Sequence, residues 1–250
     1  MPTMTLPILA LIAFSTLVTS FISGILGMAG GMILMGVLIA VLPVPAAMML
    51  HGITQLAANG WRAGMLRGSI DWRIFRGYVA GSLAAMAAFA AIQIVASKPA
   101  ALIMLGLLPF VGLALPEKLV LNVERRGHST ACGLICTGLA LVAGVSGPVL
   151  DVFFVRSAMG RHAVVATKAA TQSFTHLMKI IYFGGVAVST GAEVTPLAAA
   201  LMIALAFAGT TLSRQVLEKI DDSKFRLWTR TTVTGVGCVY LASGVMMLAR

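Results

Sequence analysis

Apolar residues run along this chain in blocks too long for a soluble fold. Polar positions fall between the blocks or on one face of a few of them. A membrane span needs about 20 apolar residues to cross roughly 30 Å of hydrocarbon. Blocks of that order occupy 5–26, 45–66, 77–97, 99–115, 129–144, 162–183, 193–213 and 228–248. Two shorter apolar pieces, 31–42 and 148–159, follow the glycine-rich breaks GMAGG (Gly27–Gly31) and GVSGP (Gly144–Pro148). The pattern predicts eight full helices and two short ones. The short pieces read either as brief crossings or as re-entrant half-helices beside the preceding helix.

Composition strengthens this reading. Of 250 residues, 59% are hydrophobic and only 10% charged, against about 25% charged in a soluble domain. Met1 to Trp61 contains no Lys, Arg, Asp or Glu, so no water-soluble surface can be built from it. A soluble enzyme, a disordered chain and a secreted disulfide scaffold are excluded. The chain reads as an all-α polytopic membrane protein. MPTMT carries no basic residue ahead of the first block, so that block is expected to be a retained span rather than a signal peptide.

The net charge of +10 does not point to nucleic acid, because the basic residues sit in short clusters between apolar blocks. With the N-terminus outside and every segment crossing once, the inner ends and loops hold Arg62, Arg67, Arg73, Arg76, Lys118, Arg125, Arg126, Arg156, Arg161, Arg214, Lys219, Lys224, Arg226 and Arg230. These are 14 of the 18 basic residues. The positive-inside rule then predicts that both termini face outward.

Sliding the chain along itself by 117 residues aligns the two breaks without a gap. Gly27 falls on Gly144, Gly30 on Gly147, Thr54-Gln55 on Thr171-Gln172, Asn59 on His176 and Arg62 on Lys179. Five segments per half is an odd number, so the second copy must enter the membrane upside down. The expected architecture is two inverted repeats, each of four long helices plus one short broken or re-entrant helix. The first repeat is 1–116, the cytoplasmic linker 117–128 and the second repeat 129–250. Transporters of this construction hold substrate near the midplane between the halves.

The blocks that follow the short pieces carry matching polar stripes. One holds His51, Thr54, Gln55, Asn59 and Arg62. The other holds Lys168, Thr171, Gln172, Thr175, His176 and Lys179. Spacings of three and four put each set on one helix face, and hydrocarbon offers such groups no partner. Both Thr-Gln pairs lie about 14 Å in from their helix starts, near mid-bilayer. The stripes therefore read as the lining of a pathway, with helix–helix hydrogen bonding as the alternative. Lys179 and Arg62 read as anchors at helix ends. Lys168 reads either as a cation drawing an anion into the pathway or as a side chain snorkelling to the surface.

The breaks add donors. Helix starts at Gly30-Gly31 and Ser146-Gly147 would present unpaired N–H groups and a positive dipole end to an anion. Apart from Glu193 at the very start of its block, Asp151 is the sole acidic residue within the apolar blocks. It is a candidate charge or proton relay, along with His51 and His176; an ion pair with Lys168 is the other reading of Asp151. Cys132 and Cys136, four apart, leave a membrane-embedded thiol redox protein as an alternative. A cation or metal permease is a further one, poorly served by a stripe with one carboxylate. No cofactor or metal is expected.

FISGILGMAGGMILMG and LALVAGVSGPVLDVFF, each followed by a helix containing ITQ or ATQ, resemble the sulfite exporter TauE/SafE family over essentially the whole chain. The resemblance implies a carrier of small sulfur-containing anions, sulfite or organosulfonates, out across the prokaryotic cytoplasmic membrane. Its partners would be that anion, membrane lipid and no nucleic acid, with a homo-oligomer allowed. Substrate-binding candidates are Thr54, Gln55, Asn59, Lys168, Thr171, Gln172, His176, Gly30, Gly31, Ser146 and Gly147. One departure stands out: Pro148 occupies the place of Gly31, so the two breaks are not chemically equivalent.

Overall fold

The computed structural model describes residues 5–26, 28–114, 121–190, 194–217 and 222–249. Gly27, residues 117–120 of the linker, Lys118, Lys219 and Arg250 lie outside them. Among the described residues all regular structure is helical. Ten α-helices run in chain order as α1 (Leu6–Leu26), α2 (Ala29–Val41), α3 (Val44–Met65), α4 (Trp72–Ile92), α5 (Lys98–Ala114), α6 (His128–Ala143), α7 (Gly147–Phe154), α8 (Arg161–Thr190), α9 (Pro196–Leu217) and α10 (Asp222–Leu248).

Each apolar block became a helix, but not every one is a full span. Helices α1, α4, α9 and α10 contain stretches long and apolar enough to cross a membrane. Helices α3 and α8 have the length but carry the polar stripes. Helices α5 and α6, at 17 and 16 residues, reach only about 25 Å at 1.5 Å per residue. Helix α4 starts five residues before the expected 77, because the Asp71 carboxylate caps it by accepting from the N–H groups of Arg73 (2.9 Å) and Ile74 (3.0 Å). Helix α8 runs to Thr190, past the expected end at 183, since Gly184-Gly185 continues the helix rather than closing it.

Packing joins the two halves of the chain. Helix α3 packs along α8, α1 along α9, α4 along α6 and α5 along α10. Small residues let the backbones approach, as is usual between helices in membranes. A Cβ at Gly133 would stand 2.0 Å from the Tyr78 carbonyl oxygen, and one at Gly81 only 1.9 Å from that of Thr130. Reading α1–α5 against α6–α10, the α1·α9 pair exchanges with α6·α4, and α3·α9 with α8·α4.

Two hairpins carry the breaks. Helices α1 and α2 pack on each other across residues 27–28, and α6 and α7 do so across 144–146. Gly144 supplies the positive φ, +85°, that ends α6, a conformation glycine adopts without strain. The tips of both hairpins meet in the interior, where Met28 lies against Gly147 and Met35 against Gly144. With 13 and 8 residues, α2 and α7 are too short to span alone. They are short helices whose starts come together where Met28 meets Gly147.

The basic loops also converge. The N–H of Asp71 donates to Thr167 Oγ1 (2.9 Å). Arg73 donates to the Glu124 carbonyl (2.9 Å), Glu124 accepts from the N–H of Ala158 (2.7 Å), and Asn122 donates to the Arg156 carbonyl (2.9 Å). The turn after α3, the segment before α6 and the loop after α7 thus form one clasp at one end of the molecule.

Candidate functional site

Between the hairpin tips and the stripes of α3 and α8 lies a small cavity, partly open at its mouth. Helix α3 contributes His51, Gln55 and Asn59, and α8 contributes Gln172, Thr175 and His176. Gly31 and Met32 come from the start of α2, with Met28 just before it and Ser23 from the end of α1; Val145, Ser146 and Gly147 come from the second break. Among the described residues, no Asp or Glu lines it.

Two lining nitrogens are unpartnered. Gln55 Nε2 and His176 Nδ1 are buried and make no hydrogen bond, although their residues are only 4% and 6% exposed. A buried donor left unmade costs about 1–3 kcal/mol, so Gln55 Nε2 is a place for an acceptor, and His176 Nδ1 is one in the tautomer that puts the hydrogen on that nitrogen. The first intrahelical bond of α2 runs from Met32 N–H to Met28 C=O, and that of α7 from Leu150 N–H to Ser146 C=O. Amides ahead of those have no intrahelical acceptor, which gives both breaks the character of a helix N-terminus.

Oxygen atoms around the cavity, by contrast, are engaged. His51 Nε2 lies 2.9 Å from the Gly31 carbonyl oxygen; a carbonyl only accepts, so Nε2 carries the hydrogen and Nδ1 is the ring's acceptor. Lys179 Nζ donates to that Nδ1 (2.9 Å) and to the Gly144 carbonyl (2.8 Å), with Met35 Sδ at 3.8 Å. Arg62 donates to Ser23 O (3.3 Å) and Asn59 Oδ1 (3.4 Å), and Asn59 Nδ2 donates to Gln55 O (3.0 Å) and Oε1 (3.4 Å). Behind α8, Tyr78 and Thr175 share a 2.7 Å hydroxyl contact, and Thr137 donates to Ser82 at 2.8 Å.

Of the residues singled out from sequence, Gln55, Asn59, Gln172, His176, Gly31, Ser146, Gly147 and His51 come together on the cavity wall. Thr54, Thr171 and Gly30 do not line it. The hydroxyls of Thr54 and Thr171 return to the carbonyls of Leu50 (2.9 Å) and Lys168 (2.9 Å). Gly30 packs tightly on α1, where a Cβ would meet the Thr19 carbonyl oxygen at 2.0 Å. Lys168 is ion-paired with Asp151 and neither is on the wall, so the cation expected to reach the anion is already neutralised by the carboxylate of α7. Cys132 and Cys136 stand with sulfurs 3.9 Å apart, buried in α6 and off the cavity.

The correction of most consequence concerns Lys179. Read as a helix-end anchor, it is fully buried, at 0% exposure. The misplaced end of α8 hid it: with the helix running to Thr190, Lys179 lies eleven residues from its end, well inside the bundle. Its register with Arg62 under the 117-residue shift was the available signal. These two basic residues, matched by the 117-residue shift, flank the cavity, Lys179 beyond His51 and Arg62 beyond Asn59.

Two short helices whose starts come together, set among long apolar helices around a polar cavity, define a polytopic membrane protein. Residues 11–240 match the family described as Sulfite exporter TauE/SafE. The chain belongs to that family. No curated protein and no solved structure matches the chain.

Proposed function

We propose that this protein exports a small sulfur-containing anion, sulfite or an organosulfonate, across the prokaryotic cytoplasmic membrane. The anion sits in the cavity near the bilayer midplane, between inverted repeats 1–116 and 129–250, with both termini outside. Gln55, Asn59, Gln172, His176, Gly31, Ser146 and Gly147 are its ligands. The exchange of packing partners between the halves and the gathering of basic loops at one end support the inverted arrangement and its orientation.

One observation carries the reading. The cavity presents two unpartnered buried nitrogens and two helix starts, lies between two basic residues, and has no carboxylate among the described residues of its wall. Such a lining stabilises negative charge, and in a low-dielectric interior each charged contact counts for more than it does in water. A negative-inside potential favours exit by about 2.3 kcal/mol per charge per 100 mV, so export needs no further driving force.

Radiolabelled flux in proteoliposomes with a panel of sulfite, sulfonates, sulfate and chloride tests this. Saturable sulfite or sulfonate flux, weakened by Gln55→Glu, is the expected result. Sulfite and sulfonate flux no greater than in empty liposomes would overturn it.

A further inference from the structure

Lys179 raises a question that the reading of the cavity leaves unanswered. Its amine is fully buried and its three neighbours, His51 Nδ1, the Gly144 carbonyl and Met35 Sδ, are all uncharged. An ammonium without a counter-charge is strongly disfavoured in such surroundings. The titratable and charged groups around it offer none. His51 comes from α3, with Arg62 farther along that helix and held on Ser23 and Asn59. On α8 itself are His176 and, lower, Lys168, which is closed off with Asp151 of α7. Helix α4 brings Tyr78, engaged with Thr175, and α6 brings Cys132 and Cys136.

The hydrogen bonds suit both charge states of the amine. As a neutral amine, Lys179 has two hydrogens for its two short bonds and turns its lone pair toward Met35 Sδ. As an ammonium, it keeps both bonds and directs the third hydrogen to the same sulfur. No rearrangement is needed between the two. His51, which accepts from Lys179 at Nδ1, is itself part of the cavity wall.

We propose that Lys179 takes up one proton when an anion occupies the cavity, so that anion and proton bind together. The inference rests on the cavity being the anion site. The proton comes from water and adds to the Nζ lone pair; the bound anion supplies the counter-charge that the protein withholds. His51 is then the positioning residue that holds the amine within reach of the anion's field.

Calorimetry of sulfite binding to the purified full-length protein, in two buffers of different ionisation heat, reads the protons taken up. The pH is set well above the second ionisation of sulfite, so the ligand arrives without a proton. Wild type should take up one proton per anion, with affinity falling about tenfold per pH unit. Lys179→Arg carries a permanent charge and should bind with no uptake and a flat pH profile; Lys179→Gln should bind more weakly, also with no uptake. Binding by wild type without proton uptake would overturn the proposal whatever the variants do. Uptake persisting in Lys179→Gln but lost in His176→Gln would overturn it in favour of the histidine. A wild type that binds no sulfite, sulfonate or other anion in the panel sinks the reading of the cavity itself, a result plainly distinct from anion binding without a proton.

Discussion

Met28 rests directly on Gly147, so closely that a Cβ at 147 would stand 2.6 Å from the Met28 Cβ. This is where the tip of the first hairpin meets the tip of the second, at the cavity wall. Gly147→Ala must push the tips apart, and overpacking of this kind costs about 1–3 kcal/mol. We expect a lowered thermal midpoint and reduced flux. Met28→Gly in the Gly147→Ala background removes the clash and should recover part of both; recovery of neither would mean that the contact does not govern the site.

Gln55→Glu replaces the unpartnered Nε2 with a carboxylate oxygen at nearly constant shape. Hydrogen bonds to charged groups contribute about 1.5–3 kcal/mol, and each 1.4 kcal/mol is about tenfold in affinity. Anion affinity should fall by roughly 10- to 100-fold or more, with the fold intact by circular dichroism. Unchanged sulfite affinity would take Gln55 out of the site.

Lys168→Met and Asp151→Asn should leave anion affinity within about twofold, because their ion pair lies off the cavity wall. Both side chains are partly exposed, 26% and 38%, and pairs of that kind contribute about 1 kcal/mol or less. A small drop in thermal midpoint in either single variant, with part of the loss regained in the double variant, is the expected pattern. A tenfold loss of affinity in Lys168→Met alone would return that lysine to the binding site.

Orientation can be read by thiol labelling. Cys132 and Cys136 are buried and Cys238 is exposed, so Cys238→Ala provides the background. Gly68→Cys, in the open turn after α3 where a Cβ meets nothing within 4 Å, should resist an impermeant reagent on intact cells and react after permeabilisation. Ser97→Cys, just before α5, should react from outside. The reverse result would invert the topology and the sense of the basic loops.

The Cys132→Ala/Cys136→Ala/Cys238→Ala protein separates transport from thiol chemistry. The paired sulfurs stand off the cavity, so sulfite flux should survive within about twofold. Flux abolished in a folded triple variant would return the thiols to the mechanism.

The apolar blocks and the breaks made the helices legible, because hydrocarbon leaves a backbone few alternatives to helix. The α3 and α8 starts, at 44 and 161, fall 117 residues apart, as the shift requires. Gln55, Asn59, Gln172 and His176 were found because their spacing fixes a common face. Spacing says nothing about which atoms are already bonded. The sequence left Lys168 as a cation for the anion, a side chain snorkelling to the surface or the partner of Asp151, and the structure pairs it with Asp151; the hydroxyls of Thr54 and Thr171, placed by spacing among the ligands, bond to their own backbones. Lys179 was missed for a local reason. Gly184-Gly185 resembles a helix end, yet α8 runs through it to Thr190.

A chain that breaks in mid-membrane bares carbonyl oxygens as well as amides, and a polar hollow of that kind would ordinarily coordinate sodium or potassium as readily as sulfite. Here Gly144 C=O is occupied by Lys179, Gly31 C=O by His51 and Ser23 C=O by Arg62. Each of these oxygens already accepts from a basic side chain before any ligand arrives. A sodium ion seeking them would have to evict a basic side chain and then sit beside it, whereas an anion could accept from the Gln55 amide, which no neighbour engages. On the proposed function, discrimination by sign of charge would follow from the backbone carbonyls that these side chains already hold.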